Sequence, residues 1–142
     1  MNPQAVLALC HEHARAEAQF DIDRVLATLV PVPRYEFFPL GLSISGWANI
    51  EHFYRHQYPK FASLVEGYEL LGEWTNDLGA LQEYVIDIRQ GADATTAYRV
   101  MSMMPVDPEA ELLTGERLYC DEGFVKALLG PLYDLLEPEA GS

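Results

Sequence analysis

The stretch Glu116-Arg117-Leu118-Tyr119-Cys120-Asp121 decides how the rest of the chain is interpreted. Its polarity alternates as in a strand, and it ends a region, residues 35–121, that predicts a bent sheet wrapped around a helix. The stretch places a glutamate, a tyrosine and an aspartate where an apolar interior is otherwise expected. The region therefore predicts a fold, whereas no reaction can be read from it.

Three more strands are predicted directly before this stretch. They cover residues 68–75, 81–89 and 97–104, and the closing strand covers residues 112–120. Turn residues separate them: Asn76-Asp77-Leu78-Gly79, Gly91-Ala92-Asp93 and Pro105-Val106-Asp107-Pro108. Four consecutive strands with short links predict an antiparallel meander.

Helices and one hairpin are predicted before the meander. Residues 3–19 favour a helix, with one stripe at three-to-four spacing that can face a core: Val6, Leu9, Cys10, His13, Glu17 and Phe20. Asp21 can cap a short second helix that reaches Leu29 and ends at Pro31 and Pro33.

The middle and the end of the chain complete the predicted order. Residues 35–38 and 42–45 form a hairpin, and Gly46 opens a third helix that Pro59 kinks or ends. Residues 124–129 form one or two helical turns, and residues 136–142 are expected to be a frayed tail.

Composition limits the classes of function. The chain has 142 residues, which suits one domain, and 22 acidic against 9 basic residues give a net charge of −13. Such acidity disfavours a nucleic acid or an anionic membrane as partner. The start lacks the pattern of a signal peptide, so a cytoplasmic location is expected. Cys10 and Cys120 are expected to be reduced thiols, since their separation fits no metal motif.

The order of elements resembles the nuclear transport factor 2-like superfamily and, within it, the SnoaL-like branch. The residues that carry the resemblance are Ala16-Glu17, residues 21–29, residues 35–41, Gly46 ahead of residues 50–54, and residues 115–121. The resemblance implies an α+β cone or cystatin-like roll, in which a curved antiparallel sheet packs on three helices of the N-terminal half. It also implies a single domain over residues 1–142, with its core at about 5–130. Long outer strands that carry Trp74 and Tyr68 suggest a homodimer formed through the sheet, which the resemblance also implies.

This superfamily includes ketosteroid isomerase, scytalone dehydratase, limonene epoxide hydrolase, polyketide cyclases and non-catalytic binding domains. The chain lacks the Asp/Arg/Asp pattern of the epoxide hydrolases and the paired histidines of the dehydratase. The resemblance thus predicts a protein that binds a hydrophobic small molecule, with cofactor-free isomerase, dehydratase or cyclase chemistry. A non-catalytic ligand-binding or dimerisation domain is the alternative.

Four residues are candidates for acid/base chemistry. Asp121 comes first, because a carboxyl group in an apolar pocket gains a raised pKa; otherwise it caps the helix that follows. Tyr119 either donates a hydrogen bond to a substrate or is a half-buried strand tyrosine. Glu116 is either an acid or a partner of Arg99 or Arg89. Strand alternation separates Glu116 from Asp121 unless a bulge intervenes. His56 could reach the pocket mouth.

An apolar pocket lining is predicted as a class. Its candidates are Phe37, Phe53, Tyr54, Trp74, Tyr84, Tyr98, Met101 and Met103, although any one of them could simply fill the core. His52 and His56 share a helix face but lack a third ligand, and His11 and His13 diverge, so neither a metal nor a cofactor is expected.

Overall fold

The computed structural model describes residues 1–139, and its secondary structure follows the predicted order. The helices are α1 (Pro3–Ala18), α2 (Ile22–Ala27), α3 (Trp47–His52), α4 (Tyr58–Ala62) and α5 (Glu122–Leu129). A π-helical turn, Phe53–Gln57, joins α3 to α4, and a 3₁₀-helix, Gly130–Leu135, follows α5. The strands are β1 (Leu29–Phe38), β2 (Leu42–Ser45), β3 (Val65–Thr75), β4 (Gly79–Arg89), β5 (Thr95–Asp107), β6 (Leu112–Tyr119) and β7 (Glu137–Pro138).

The strands form one curved, mixed sheet in the order β3-β4-β5-β6-β1-β2-β7, so the α+β class is confirmed. The meander β3-β4-β5-β6 and the hairpin β1-β2 are antiparallel, as predicted. The expectation of a wholly antiparallel sheet is wrong, because β1 and β6 pair in parallel. These two strands are far apart in sequence, so the rule that consecutive strands pair could not find their contact.

The start of β1 is the largest error in the predicted boundaries. The second helix ends at Ala27, and β1 begins at Leu29 and contains both Pro31 and Pro33. Proline has no amide hydrogen for a ladder, and here the register of β1 against β6 shifts between Leu29 and Arg34. The irregular pairing accommodates the prolines inside a strand.

The third helix loses its regularity next to Pro59, as predicted. Tyr58 donates its backbone hydrogen bond to the carbonyl of Phe53, five residues back, which closes the π-helical turn. Phe53, Tyr54 and Gln57 of this turn are buried. The turn therefore delivers two aromatic rings to the interior, and π-turns of this kind occur often at functional sites.

The end of the described chain is paired rather than frayed. β7 pairs with β2, and Glu139 accepts a 2.6 Å hydrogen bond from Arg34. The prediction of a frayed tail is therefore wrong for residues 136–139, while residues 140–142 lie outside the described residues. None of the described helices is both long and apolar enough to span a bilayer.

Candidate functional site

A cavity of about 550 Å³ lies between the inner face of the sheet and the helices. Aromatic side chains dominate its wall: Phe20, Tyr35, Phe53, Tyr54, Tyr58, Phe61, Tyr68, Tyr84 and Phe124. Phe20 and Tyr68 are each more than half exposed, which places them where the cavity meets solvent. The expectation that Tyr68 lies on the outer, dimer-forming face of the sheet is therefore wrong. The size and the apolar wall are typical of a site for a small molecule.

Three ionisable side chains meet at the inner part of this cavity. Glu17 on α1 and Glu116 on β6 line it, and His13 lies behind them with 0% of its side chain exposed. His13 Nε2 is 3.2 Å from Glu116 Oε1 and 3.5 Å from Glu17 Oε1. The three groups form the carboxyl–histidine cluster of the site.

A hydroxyl group fixes the orientation of the imidazole. Thr28 Oγ1 donates its hydrogen to the carbonyl oxygen of Val25 at 2.6 Å and lies 2.7 Å from His13 Nδ1. Since Thr28 has spent its only hydrogen, it accepts from Nδ1, which must therefore carry a proton. Nε2 is then the nitrogen that exchanges a proton with the two carboxyl groups.

Other hydroxyl groups extend the carboxyl–histidine cluster. Tyr54 donates to Glu17 Oε2 at 3.1 Å, and the hydroxyl of Tyr35 bonds to that of Tyr54. On the other side, Ser102 donates to Glu116 Oε2 at 3.4 Å. Each carboxyl group thus has a hydroxyl partner besides the imidazole, and the network continues along the cavity wall.

The surroundings shift the pKa values of the carboxyl–histidine cluster. Burial alone would lower the pKa of His13, but the charge of Glu17 and the hydrogen bond and charge of Glu116 outweigh it, so this pKa is raised. Burial raises the pKa of Glu17 to about 7, although the charge of His13 opposes the shift. Near neutral pH, Glu17 is therefore divided between carboxyl and carboxylate, as a group that both accepts and donates protons must be.

The same three residues are the set that could hold a metal ion. One ligand atom from each of His13, Glu17 and Glu116 lies within 4.8 Å of the others. Imidazole nitrogen with carboxylate oxygens suits zinc and other divalent transition metals, and Thr28 holds the imidazole as outer partners of metal ligands do. The sequence pattern predicted no metal site, and this set of residues was not among its candidates.

The structure separates the candidates of the closing strand by their parity. Glu116 enters the cavity, whereas Tyr119 lies on the outer face, is 45% exposed and stacks on Phe38. Asp121 is exposed at the N-cap of α5, where its backbone carbonyl, not its side chain, accepts the first helical hydrogen bonds. Glu116 and Asp121 therefore do not share the cavity.

Partners and exposure place the remaining candidates as well. Arg99 pairs with Glu83 and Arg89 with Glu66, so neither is the partner of Glu116. His56 is exposed beside His52 and does not reach the cavity.

The predicted lining is only partly brought together. Phe53, Tyr54 and Tyr84 line the cavity. Phe37 and Tyr98 are buried in the core, whereas Trp74 and Met101 are exposed and Met103 is half-buried beside Arg117. The predicted lining was chosen for large or soft side chains, whereas alternation along β5 sends Ser102 and Met104 to the cavity and Met101 and Met103 to the opposite face.

The main residues that the sequence analysis missed are His13 and Glu17. Both were on the stripe of α1 predicted to face the core, four residues apart. A histidine and a glutamate together on a buried helix face are costly unless they meet polar partners. That cost was the available signal for a site at this place.

Several solved structures are similar to this one over most of their length. An LEH-like epoxide hydrolase from M. tuberculosis is 20% identical, with a TM-score of 0.64 over 94% of this chain and 96% of that one. An NTF-2 like protein of unknown function from Burkholderia xenovorans is 17% identical, with a TM-score of 0.62 over 83% and 84%. The chain has the nuclear transport factor 2-like fold.

A third similar structure is a hypothetical protein from Catenulispora acidiphila with a ketosteroid isomerase-like fold, solved in complex with trimethylamine. It is 14% identical, with a TM-score of 0.60 over 86% of this chain and 92% of that one. No protein-family model and no curated protein matches the sequence. At these identities the likeness shows the fold alone, so the assignment to the SnoaL-like branch and the single domain over residues 1–142 stay predictions.

Proposed function

We propose that this protein binds a hydrophobic small molecule in its cavity and transfers protons within it, as an isomerase, dehydratase or cyclase does. One observation carries the proposal: two carboxyl groups share a buried imidazole at the inner part of an open, ring-lined cavity. Acid/base catalysis requires a group whose pKa is near the working pH, and Glu17 meets that requirement with a pKa of about 7.

The chemistry assigns a separate role to each part of the carboxyl–histidine cluster. Ionised Glu17 takes a proton from a carbon next to a carbonyl group, and the phenol of Tyr58 or Tyr84 in the wall stabilises the oxyanion that forms. The proton then returns to another carbon or to a leaving hydroxyl group. His13 passes protons between Glu17 and Glu116 through Nε2, because Thr28 holds Nδ1 in its protonated form.

Carbon–hydrogen exchange tests this proposal without knowledge of the natural substrate. EDTA-treated protein in D₂O is incubated with flat ketones such as acetophenone and 1-indanone, after binding has been verified by quenching of tyrosine and tryptophan fluorescence. We expect the wild type to speed α-deuteration of a bound ketone. Glu17→Gln should reduce the rate by about a hundredfold or more, the usual share of one general base.

Glu83→Gln is the matched control, because Glu83 pairs with Arg99 through its side chain and lies outside the cavity lining. It should exchange like the wild type. If a bound ketone is deuterated equally by the wild type and by Glu17→Gln, Glu17 is not the base. If no bound ketone is deuterated faster than in buffer, the non-catalytic alternative replaces the proposal.

We also propose that two copies of the chain associate through the outer face of the sheet. The register places Phe38, Tyr119, Met101 and Glu83 in one row across four strands, on the face away from the cavity. Trp74, Met101 and Tyr119 are exposed there by 54%, 36% and 45%. Two ion pairs flank them, Arg99 with Glu83 and Arg117 with Glu36. The face therefore carries positive and negative charges side by side, which suits a self-complementary two-fold contact.

A further inference from the structure

The cavity wall carries negative charge and little to balance it. Glu17 and Glu116 line the cavity, and among residues 1–139 no lysine or arginine does. His13 can carry a positive charge, but it has no exposed surface and lies behind both carboxyl groups. A ligand in the cavity therefore meets carboxyl oxygens, and an anionic ligand would be repelled.

The aromatic wall adds to the preference for a cation. The face of an aromatic ring carries partial negative charge and attracts an ammonium group within about 6 Å of its centroid. The rings of Tyr58 and Tyr84 lie within the field of both carboxyl groups: burial chiefly, and then the charges of Glu17 and Glu116, raise the pKa of both phenols. Carboxyl groups and ring faces thus act together on the same space.

We propose that the cavity binds an organic ammonium ion with an apolar body, its nitrogen beside Glu17 and Glu116 and its hydrocarbon part among the rings. This inference rests on the proposed function only in taking the cavity as the ligand site, and it names the class of ligand. It requires no turnover. The carboxylates supply the charge complement, and the rings supply both apolar contact and cation–π attraction.

Isothermal titration calorimetry with phenyltrimethylammonium tests the inference, because this probe keeps its charge at every pH. Its neutral isostere tert-butylbenzene has the same shape, and benzoate carries the opposite charge. At pH 8 we expect the cation to bind at least about tenfold more tightly than the isostere, a modest share for a buried cation–π and ionic contact, and benzoate not to bind.

Variants locate the charge that is responsible. Glu17→Gln should weaken binding of the cation by at least about tenfold, while binding of the isostere is unchanged. Glu83→Gln is the matched control and should behave as the wild type. If Glu17→Gln fails to fold, Glu116→Gln still tests the inference, since it removes the other carboxylate beside the proposed position of the nitrogen. The comparison of the cation with its isostere on the wild type depends on neither variant.

Two results would overturn the inference. Equal affinity for the cation and its isostere would mean that the cavity selects only for apolar shape. Tighter binding of benzoate than of the cation would mean that the positive charge of His13 outweighs the two carboxylates in the cavity. Deuterium exchange decides the proposed function separately. If the protein binds the cation but deuterates no ketone, this inference stands and the proposed proton-transfer chemistry is refuted. If it deuterates a ketone but does not prefer the cation, only this inference is refuted.

Discussion

Glu17 links the chemistry of the site to the stability of the fold. Its pKa is raised from the usual 4.5 to about 7, so between these values the folded protein holds a proton that the unfolded chain has released. Stability from this group is therefore present at low pH and is lost as the pH rises through about 7. The raised pKa of His13 acts in the same direction, since its contribution is complete below the usual 6.5 and is lost above it.

We predict that the wild type loses about 2 kcal/mol of unfolding free energy between pH 5 and pH 8, and that Glu17→Gln loses less than about 1 kcal/mol. Glutamine does not titrate, and the pKa of His13 should be raised less when the charge of Glu17 is absent. Urea unfolding at four pH values measures both slopes, with Glu83→Gln as the control that keeps the wild-type slope. If Glu17→Gln has the same dependence of stability on pH as the wild type, Glu17 is not the group that holds the extra proton in the folded protein.

The sequence pattern had already brought all three residues of the carboxyl–histidine cluster into view, although only Glu116 was selected as a site residue. Glu116 was selected and does line the cavity, and strand parity correctly separated it from Asp121. His13 and Glu17 were on the predicted inner stripe of α1 but were treated as core. Their meeting with Glu116 joins positions about 100 residues apart, and only the packing of α1 on the sheet brings them together.

The parallel pairing of β1 with β6 is the element that positions Glu116. At this contact Gly115 pairs with Arg34 and has φ +139°, and a Cβ atom added to Gly115 would lie 1.9 Å from the Arg34 carbonyl oxygen. Neither the backbone angle nor the space tolerates a side chain. Glycine here allows the two strands to approach, and the next residue along β6 is the one that enters the cavity.

We predict that Gly115→Ala destabilises the protein by more than about 3 kcal/mol, because it combines a strained backbone with a clash in the sheet. Gly91→Ala is the matched control: it also has a positive φ, +108°, but nothing lies within 4 Å of the added atom. It should cost about 1 kcal/mol, the strain alone. Thermal and urea unfolding compare the two, and equal costs would mean that the β1–β6 contact is not as tight as described.

Elements were predictable where their signals are local. The turns between β3 and β4 and between β4 and β5 and the cap at Asp21 are read from a few neighbouring positions, and the structure has them where they were expected. The turn predicted at residues 105–108 is wrong for Pro105, Val106 and Asp107, because β5 continues through Asp107 and the chain turns at residues 108–111. The parallel pair β1–β6 and the pairing of β7 with β2 depend on contacts between distant segments. No local pattern specifies such contacts, and Pro31 and Pro33 pointed away from a strand.

The whole molecule has two chemically different sheet faces. The inner face closes over a cavity with buried charge. The outer face exposes Met101 and Tyr119, which pair across β5 and β6, and also Trp74 on β3. An exposed apolar patch of this kind marks an interaction site in a soluble domain more often than an inert surface. We propose that a second copy of the chain covers this patch, since the ion pairs beside it present both positive and negative charges.

We predict that Met101→Lys or Tyr119→Lys converts a dimer to a monomer, because each places an unpaired charge at the centre of an apolar contact. Sedimentation velocity over a hundredfold concentration range measures the state of each variant. Leu135→Lys is the control: Leu135 is 55% exposed in the 3₁₀-helix after α5, outside the sheet, and its replacement should leave the dimer intact. The cavity lies on the opposite face, so the monomeric variants should still bind phenyltrimethylammonium. A wild type that sediments as a monomer at every concentration would refute the dimer and leave the proposals for the cavity unchanged.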